Sequence, residues 1–163
     1  MVTGGKKMNV KEIDERDYSE VIRLIKSEFP YVEFDEEKIR ERIESNKIFL
    51  FKAVEGKKIL GFVELEILEG NIARINGLTV KPESRNKGVA KELLDYAIEF
   101  LKVKKITRIL LLVKEKNAAA KKIYKEAGFS FIGMYHRELD SAVVEEMELD
   151  LEAENKEGLS YVG

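Results

Sequence analysis

The chain has 163 residues, 44% of them hydrophobic and 37% charged, which suits one globular fold and excludes long disorder. Its 29 Lys and Arg against 31 Asp and Glu leave a net charge of -2, so it has no general attraction for nucleic acid. No apolar run approaches the roughly 20 residues of a membrane span, and Met1 to Met8 lacks the apolar centre of a secretory signal. Cysteine is absent and His136 is the one histidine, which removes disulfides, thiolate nucleophiles and Cys-type zinc sites. The expectation is a cytoplasmic, metal-free single domain over residues 8–151, with a leader at 1–7 and a tail at 152–163. Abundant Glu and Lys without Cys, Trp or Gln match the composition of thermophile proteins.

In chain order, Asn9 to Ile13 predicts a short strand. Asp17 and Glu20 have capping-box spacing ahead of a helical stripe at Val21, Ile22, Leu24 and Ile25 that ends at Phe29-Pro30. Asp35 opens a second helix that turns Ile39 and Ile43 toward the core. Lys47–Val54 and Ile59–Leu68 read as strands around a turn at Glu55-Gly56-Lys57, and Ile72–Val80 as the next strand. A long helix from Gly88 carries Leu93, Leu94, Ala97, Ile98 and Leu101 at spacings of three and four. Thr107–Val113 is a continuous apolar run, predicting a strand covered on both faces. Ala118–Ala127 is a short helix stopped by Gly128, and Phe129–Tyr135 and Val143–Leu151 close the sheet. The order predicts an α/β fold with a mixed, mostly antiparallel sheet of about seven strands and about four helices.

The chemistry concentrates in Leu78-Thr-Val-Lys-Pro-Glu-Ser-Arg-Asn-Lys-Gly-Val-Ala90, where a strand passes through a short loop into a helix. The first turn of that helix has free N–H groups and the positive end of the helix dipole. Gly88 and Ala90 carry little bulk, and Arg85 adds a guanidinium for phosphate oxygens. The segment suits a pyrophosphate, yet it is neither a Walker loop nor the three-glycine dinucleotide fingerprint. An ordinary strand-to-helix turn is the plain alternative.

The preceding strand changes parity. Ala73 and Ile75 share one face, while Leu78 and Val80 fall on the parity of Arg74 and Asn76. A one-residue bulge at Asn76-Gly77 repairs the pattern and leaves backbone groups of Leu78 and Val80 open to an amide-bearing chain. An Asn-Gly hairpin turn is the alternative. Downstream, Asn117 precedes a helix, Tyr124 lies two turns along it, and Gly128-Phe129 begins the next strand. As structure alone, Asn117 is a helix cap and Tyr124 a core aromatic.

Arg85-Asn-Lys-Gly-Val-Ala90, preceded by Leu-x-Val-x-Pro, resembles the Arg/Gln-x-x-Gly-x-Gly/Ala signature of the GCN5-related N-acetyltransferases. Asn117…Tyr124…Gly128-Phe129 resembles their second signature. The close resemblance covers about residues 72 to 135, and the element order extends it to about 8–151. It implies that acetyl-CoA lies in a splay between the fourth and fifth strands. It further implies pantetheine contacts to the backbone around Leu78, Thr79 and Val80, and a pyrophosphate on amides of Arg85, Asn86, Lys87, Gly88, Val89 and Ala90. Asn117 would contact the pantetheine arm or its neighbourhood, and Tyr124 would face the sulfur and protonate the departing thiolate. The acceptor would be an amine of a small molecule, peptide or protein, and the chain a monomer or homodimer. A non-catalytic acyl-CoA sensor or scaffold is the alternative of another class, and an ATP-binding module a third.

The sequence departs from the family at the general base. Many relatives place a Glu on the fourth strand, where Arg74 and Asn76 stand here. Glu64 and Glu66 are the substitutes, acting directly or through water, with solvated strand charges as the plain reading. Deprotonating a lysine at pH 7 costs about 4.6 kcal/mol, and an α-amine only ~1 kcal/mol, so a weak base favours a low-pKa acceptor. Phe29-Pro-Tyr-Val-Glu-Phe34 and Tyr135-His136-Arg137-Glu138 are candidate acceptor-binding segments or core plugs. Lys87, Lys91, Lys121 and Lys122 are candidate phosphate partners or solvated helix charges.

Overall fold

The computed structural model describes residues 7–152, so the leader and tail, apart from Lys7 and Glu152, lie outside the described residues. Among the described residues, seven strands form one sheet in the order β1-β2-β3-β4-β5-β7-β6, accompanied by four α-helices. The chain divides into two compact units, one of Met1–Leu65 with Gly77–Ala97, the other of Glu66–Asn76 with Ile98–Gly163. No helix among the described residues is long and apolar enough to cross a membrane.

In the first unit, β1 (Met8–Glu12) pairs antiparallel with β2 (Ile48–Glu55), from Met8 opposite Glu55 to Glu12 opposite Phe51. Helix α1 (Tyr18–Glu28) buries Val21, Leu24 and Ile25, and α2 (Glu36–Glu44) buries Ile39, with Ile43 one turn on packed against the same cluster as Leu50 and Phe62. Fully burying one such side chain stabilises the fold by about 1.5–3 kcal/mol. Asp35 caps α2 by accepting from the N–H of Lys38 at 2.9 Å, as its sequence position predicts.

The cap of α1 differs from the sequence expectation. The reciprocal box is made by Asp14 and Asp17 around a 3-10 turn at Glu15–Asp17, and Asp17 gives α1 no side-chain cap. Asp17 is instead buried, accepting from the Asp14 N–H at 2.8 Å and from Lys52 Nζ at 2.5 Å. A charge taken out of water requires such partners, and Lys52 supplies them from 35 residues away. The intended capping partner, Glu20, is bonded to Lys81 Nζ.

In the second unit, β5 (Arg108–Lys114) runs antiparallel to β7 (Val144–Asp150), which pairs on its other side with β6 (Ser130–Met134). β5 is not uniformly covered as its apolar run suggests. Ile109, Leu111 and Val113 are buried, while the residues between them are half-buried, so one face carries the core contacts. Gly128 ends α4 (Ala118–Glu126) at φ +105°, and a Cβ there would come within 3.0 Å of Leu149. Both facts require glycine at that turn.

β3 (Lys58–Ile67) and β4 (Ile72–Val80) carry the irregularity predicted near Asn76-Gly77. The N–H of Leu68 donates to Ile72 O, and that of Lys81 to Leu60 O. Between these bonds β3 advances eight residues and β4 nine, so β4 holds one extra residue, a bulge. Asn76 and Gly77 are extended strand rather than hairpin turn. The parallel pairing of β4 with β5 runs from Ile72–Arg108 to Ile75–Leu111, and β4 continues to Val80 beyond its last pair.

Candidate active site

The loop from β4 into α3 (Val89–Val103) is built to present backbone donors. Pro82–Ser84 form a 3-10 turn, and the chain then passes through left-handed residues at Asn86, φ 62°, and Gly88, φ 81°. The Gly88 carbonyl accepts from Glu92 N at 3.0 Å and so begins the helix. Among the described residues, the N–H groups of Asn86, Lys87, Gly88, Val89 and Ala90 donate to nothing. Five consecutive free donors at the positive end of a 15-residue helix form an anion seat. Gly88 is required by its backbone angle, since a Cβ there would meet nothing within 4 Å. Open space and positive φ together explain the residue better than bulk alone.

Arg85 is held on this loop. Its Nη2 donates to Glu28 Oε1 at 2.7 Å and its Nε to the Val80 carbonyl at 3.2 Å, with half of the side chain exposed. Glu28 and Glu20 are eight residues apart on α1, and they bind Arg85 and Lys81, the two ends of the loop. Lys91 is paired with Asp95 at 2.8 Å along its own helix.

The bond from Lys81 N to Leu60 O fixes which way β4 faces. Alternation turns the backbone groups of Leu78 and Val80 to the edge away from β3, and those of Thr79 toward it. Thr79 is buried, and its carbonyl lies 2.4 Å from where a Cβ on Gly61 would stand, so Gly61 permits the close approach. The edge at Leu78 and Val80 lies beyond the last β4–β5 pair. It offers an extended amide chain the geometry of an added strand.

In the second unit, Asn117 caps α4 by accepting from Ala120 N at 3.1 Å through Oδ1. Its side-chain amide N–H groups make no bond among the described residues. The Tyr124 ring is buried edge-on against Phe129, with centroids 5.9 Å apart. Its hydroxyl has no partner among the described residues, yet it is not sealed from solvent. Burial pushes its pKa up to about 12, which keeps the phenol protonated and a donor. Lys121 reaches Glu145 at 3.3 Å.

Both candidate bases are held by guanidinium groups. Glu64, buried, accepts from Arg42 Nη1 at 2.8 Å. Glu66 accepts from Arg74 Nη2 at 2.8 Å and from Asn76 Nδ2 at 3.1 Å, while Arg74 Nε donates to Asn76 Oδ1 at 2.8 Å. The two residues that replace a strand-four Glu thus form a closed group around Glu66. Of the acceptor segments, Phe34 is a core residue under Arg42, whereas Tyr31 is half exposed beside Phe29. His136 is exposed, its ring tilted against that of Tyr135 with centroids 4.3 Å apart. No cluster of three or more His, Cys, Asp or Glu able to hold a metal occurs among the described residues.

A seven-stranded mixed sheet with a parallel step at β4–β5, accompanied by four helices among the described residues, matches the fold of the N-acetyltransferases. Residues 12–129 match the model of the Acetyltransferase (GNAT) family, and the chain belongs to that family. It is an acyltransferase that uses acetyl-CoA. Solved structures agree in fold. Spermidine N-acetyltransferase from Vibrio cholerae, in complex with CoA and spermine, aligns at TM-score 0.78 and 23% identity over 89% of this chain and 96% of that one. The ribosomal-protein-S18-alanine N-acetyltransferase from Escherichia coli aligns at TM-score 0.75 and 17% identity, over 89% and 94%. The PaiA N-acetyltransferase from Thermoplasma acidophilum, in complex with coenzyme A, aligns at TM-score 0.67 and 24% identity, over 88% and 99%. No curated protein matches the chain in sequence.

Proposed function

We propose that the protein transfers the acetyl group of acetyl-CoA directly to an amine of low pKa, either a peptide or protein N-terminus or a small amine. The observation that carries this reading is the run of five free N–H groups from Asn86 to Ala90 at the start of α3. Those donors suit a diphosphate, with the outer N–H groups of Arg85 beside them. The backbone groups of Leu78 and the Val80 N–H suit the amides of a pantetheine arm, while the Val80 carbonyl already accepts from Arg85; the Asn117 amide would supply a further donor.

Acetyl-CoA supplies an acetyl group already activated as a thioester. This chain's residues therefore bind, orient and manage protons, with no covalent enzyme intermediate. Tyr124 acts as general acid toward the departing sulfur. A phenol at about 12 facing a thiol near ~8.5 makes complete proton transfer uphill by about 5 kcal/mol. Tyr124 accordingly donates a hydrogen bond that strengthens as negative charge gathers on sulfur. With Glu64 and Glu66 engaged by Arg42 and Arg74, the acceptor nitrogen meets no free strong base on those strands. That condition favours an amine already partly neutral at pH 7. The neighbours that act on spermidine and on the S18 alanine represent the small-amine and protein classes of acceptor.

Thiol release and acetylated product, followed together with a panel of α-amines, lysine peptides and polyamines, test the reading. Turnover with α-amines exceeding that with lysine side chains is expected. Tight binding of coenzyme A without turnover on any amine would make the protein an acyl-CoA sensor instead.

A further inference from the structure

The parallel pairing of β4 with β5 ends at Ile75–Leu111, and Leu112 is the first β5 residue past that point. Leu112 lies opposite Glu146 of β7, which in turn lies opposite Gly133 of β6. The β5–β7 pairing is regular from Arg108–Asp150 to Lys114–Val144, so side chains alternate between the two faces without a break. Glu145 and Leu149 share the face that α4 covers, where Lys121 reaches Glu145 and the Gly128 turn adjoins Leu149. Glu146 therefore stands on the opposite face, as do Glu148 and Asp150 of its own strand. Glu66 is bonded to Arg74, which belongs to that face through its pairing with Leu110.

Three of these four carboxylates are engaged. Glu66 is held by Arg74 and Asn76, Glu148 by Arg108, and Asp150 accepts from the Glu152 N–H at 3.0 Å. Glu146 alone has no hydrogen bond or ion pair with any described residue. It is half-buried beside the half-buried Leu112, and its oxygens are not sealed from solvent. The cations on its face have other partners: its charge reaches Arg108, which is bonded to Glu148, and Lys114 is paired with Asp140 at 3.6 Å. β6 brings no charge, shifts register between Phe131 and Gly133, and leaves the flank of Glu146 open, since a Cβ on Gly133 would meet nothing within 4 Å. A carboxylate so placed is available to a proton or an ammonium group from outside the chain.

We propose that Glu146 is the catalytic base of acetyl transfer, taking the proton that the acceptor amine gives up as it attacks. The assignment rests on the transferase reading and supplies the group that Glu64 and Glu66, held by Arg42 and Arg74, do not. On that reading the pantetheine arm runs back along β4 from the loop, which brings the thioester to the point where β4 leaves β5. Tyr124, on α4, lies on one side of the sheet and Glu146 on the other, so sulfur departs toward the phenol while nitrogen arrives past the carboxylate. Glu146 Oε takes the nitrogen's proton and passes it to water. Tyr124 donates its hydrogen bond to sulfur as the carbon–sulfur bond gives way to the nitrogen–carbon bond, and the released thiolate takes a proton from solvent. An amine that arrives neutral has one proton to lose, so the preference for acceptors of low pKa is kept.

The test combines kinetics, coenzyme A calorimetry and carboxyl NMR on the whole protein. Glu146→Gln removes no bond to a described residue, so it should fold and bind coenzyme A as the unaltered protein does. Its kcat with an α-amine should fall by about 10²-fold or more and recover as pH is raised. Added formate should restore part of the rate to Glu146→Ala, which the loss of a merely structural carboxylate would not allow. Independently of turnover, the ¹³C carboxyl resonance missing from Glu146→Gln should move in the unaltered protein when alaninamide is added with coenzyme A bound. A Glu146→Gln rate within about threefold of the unaltered protein overturns the assignment and leaves the transferase reading standing. A carboxyl resonance that stays in place, or a rate loss that neither formate nor higher pH repairs, does the same. Absence of turnover with every amine in the unaltered protein overturns both.

Discussion

Arg85 and Glu28 are joined by a 2.7 Å hydrogen-bonded ion pair that links the phosphate-facing loop to the last turn of α1. The carboxylate takes one of five guanidinium N–H groups, the Val80 carbonyl takes a second, and the rest remain free for a ligand. Arg85→Ala should raise the KM for acetyl-CoA about tenfold with kcat changed less than about twofold, because one charge-assisted contact to phosphate is lost. Initial-rate kinetics check this. An unchanged KM would leave Arg85 as a brace between loop and helix.

Gly88→Ala isolates the backbone requirement at φ +81° from any loss of space. It should destabilise the protein by about 1–2 kcal/mol, the strain of a left-handed non-glycine residue, as measured by denaturant unfolding. Gly88→Glu carries the same strain and adds a negative charge to the anion seat. Its affinity for coenzyme A should fall by more than about 100-fold, well beyond the loss in the alanine variant.

Tyr124→Phe removes a hydroxyl that has no partner among the described residues, so stability at neutral pH should change little. Turnover should fall about 10² to 10⁴-fold with little change in KM for acetyl-CoA. The phenol also predicts a stability profile. Its folded pKa, about 12, lies above the unfolded value of 10, so the folded state holds this proton more tightly. Stability from this group is complete below pH 10 and is lost as pH rises from about 10 to 12. Unfolding measurements across that range should show a slope that Tyr124→Phe removes.

Glu64→Gln and Glu66→Gln separate base from brace. If either carboxylate takes the acceptor proton, its variant should lose kcat about 10²-fold and regain rate as pH is raised. The guanidinium partners of both predict a smaller effect, below about tenfold, with acceptors of lower pKa reacting faster in all three proteins. A rate series on amines of graded pKa checks it.

The elements were legible because apolar spacing and Gly or Asn punctuation are local signals. The repeats at Leu93, Leu94, Ala97, Ile98 and Leu101, the glycine after α4 and the parity change before Leu78 each lie within a few residues of what they determine. The two signatures placed Gly88, Asn117 and Tyr124 on the elements where the structure has them. Long-range pairing was not legible. Asp17 has the spacing of a cap for α1, but Lys52, a partner on β2, draws it into the interior. Glu28 on α1 and Arg85 are 57 residues apart, and nothing around either residue announces the other. Arg74 and Asn76 were seen as departures from the family pattern, while their closure around Glu66 depends on the pairing of β3 with β4.

The central claim is that coenzyme A is held by backbone donors of the loop and strand edge, and amide NMR of the protein titrated with acetyl-CoA tests it most directly. The N–H resonances of Asn86 to Ala90, with those of Leu78 and Val80, should move downfield and exchange more slowly with solvent as the ligand saturates. Resonances at these seven residues that stay in place while acetyl-CoA binds would contradict it.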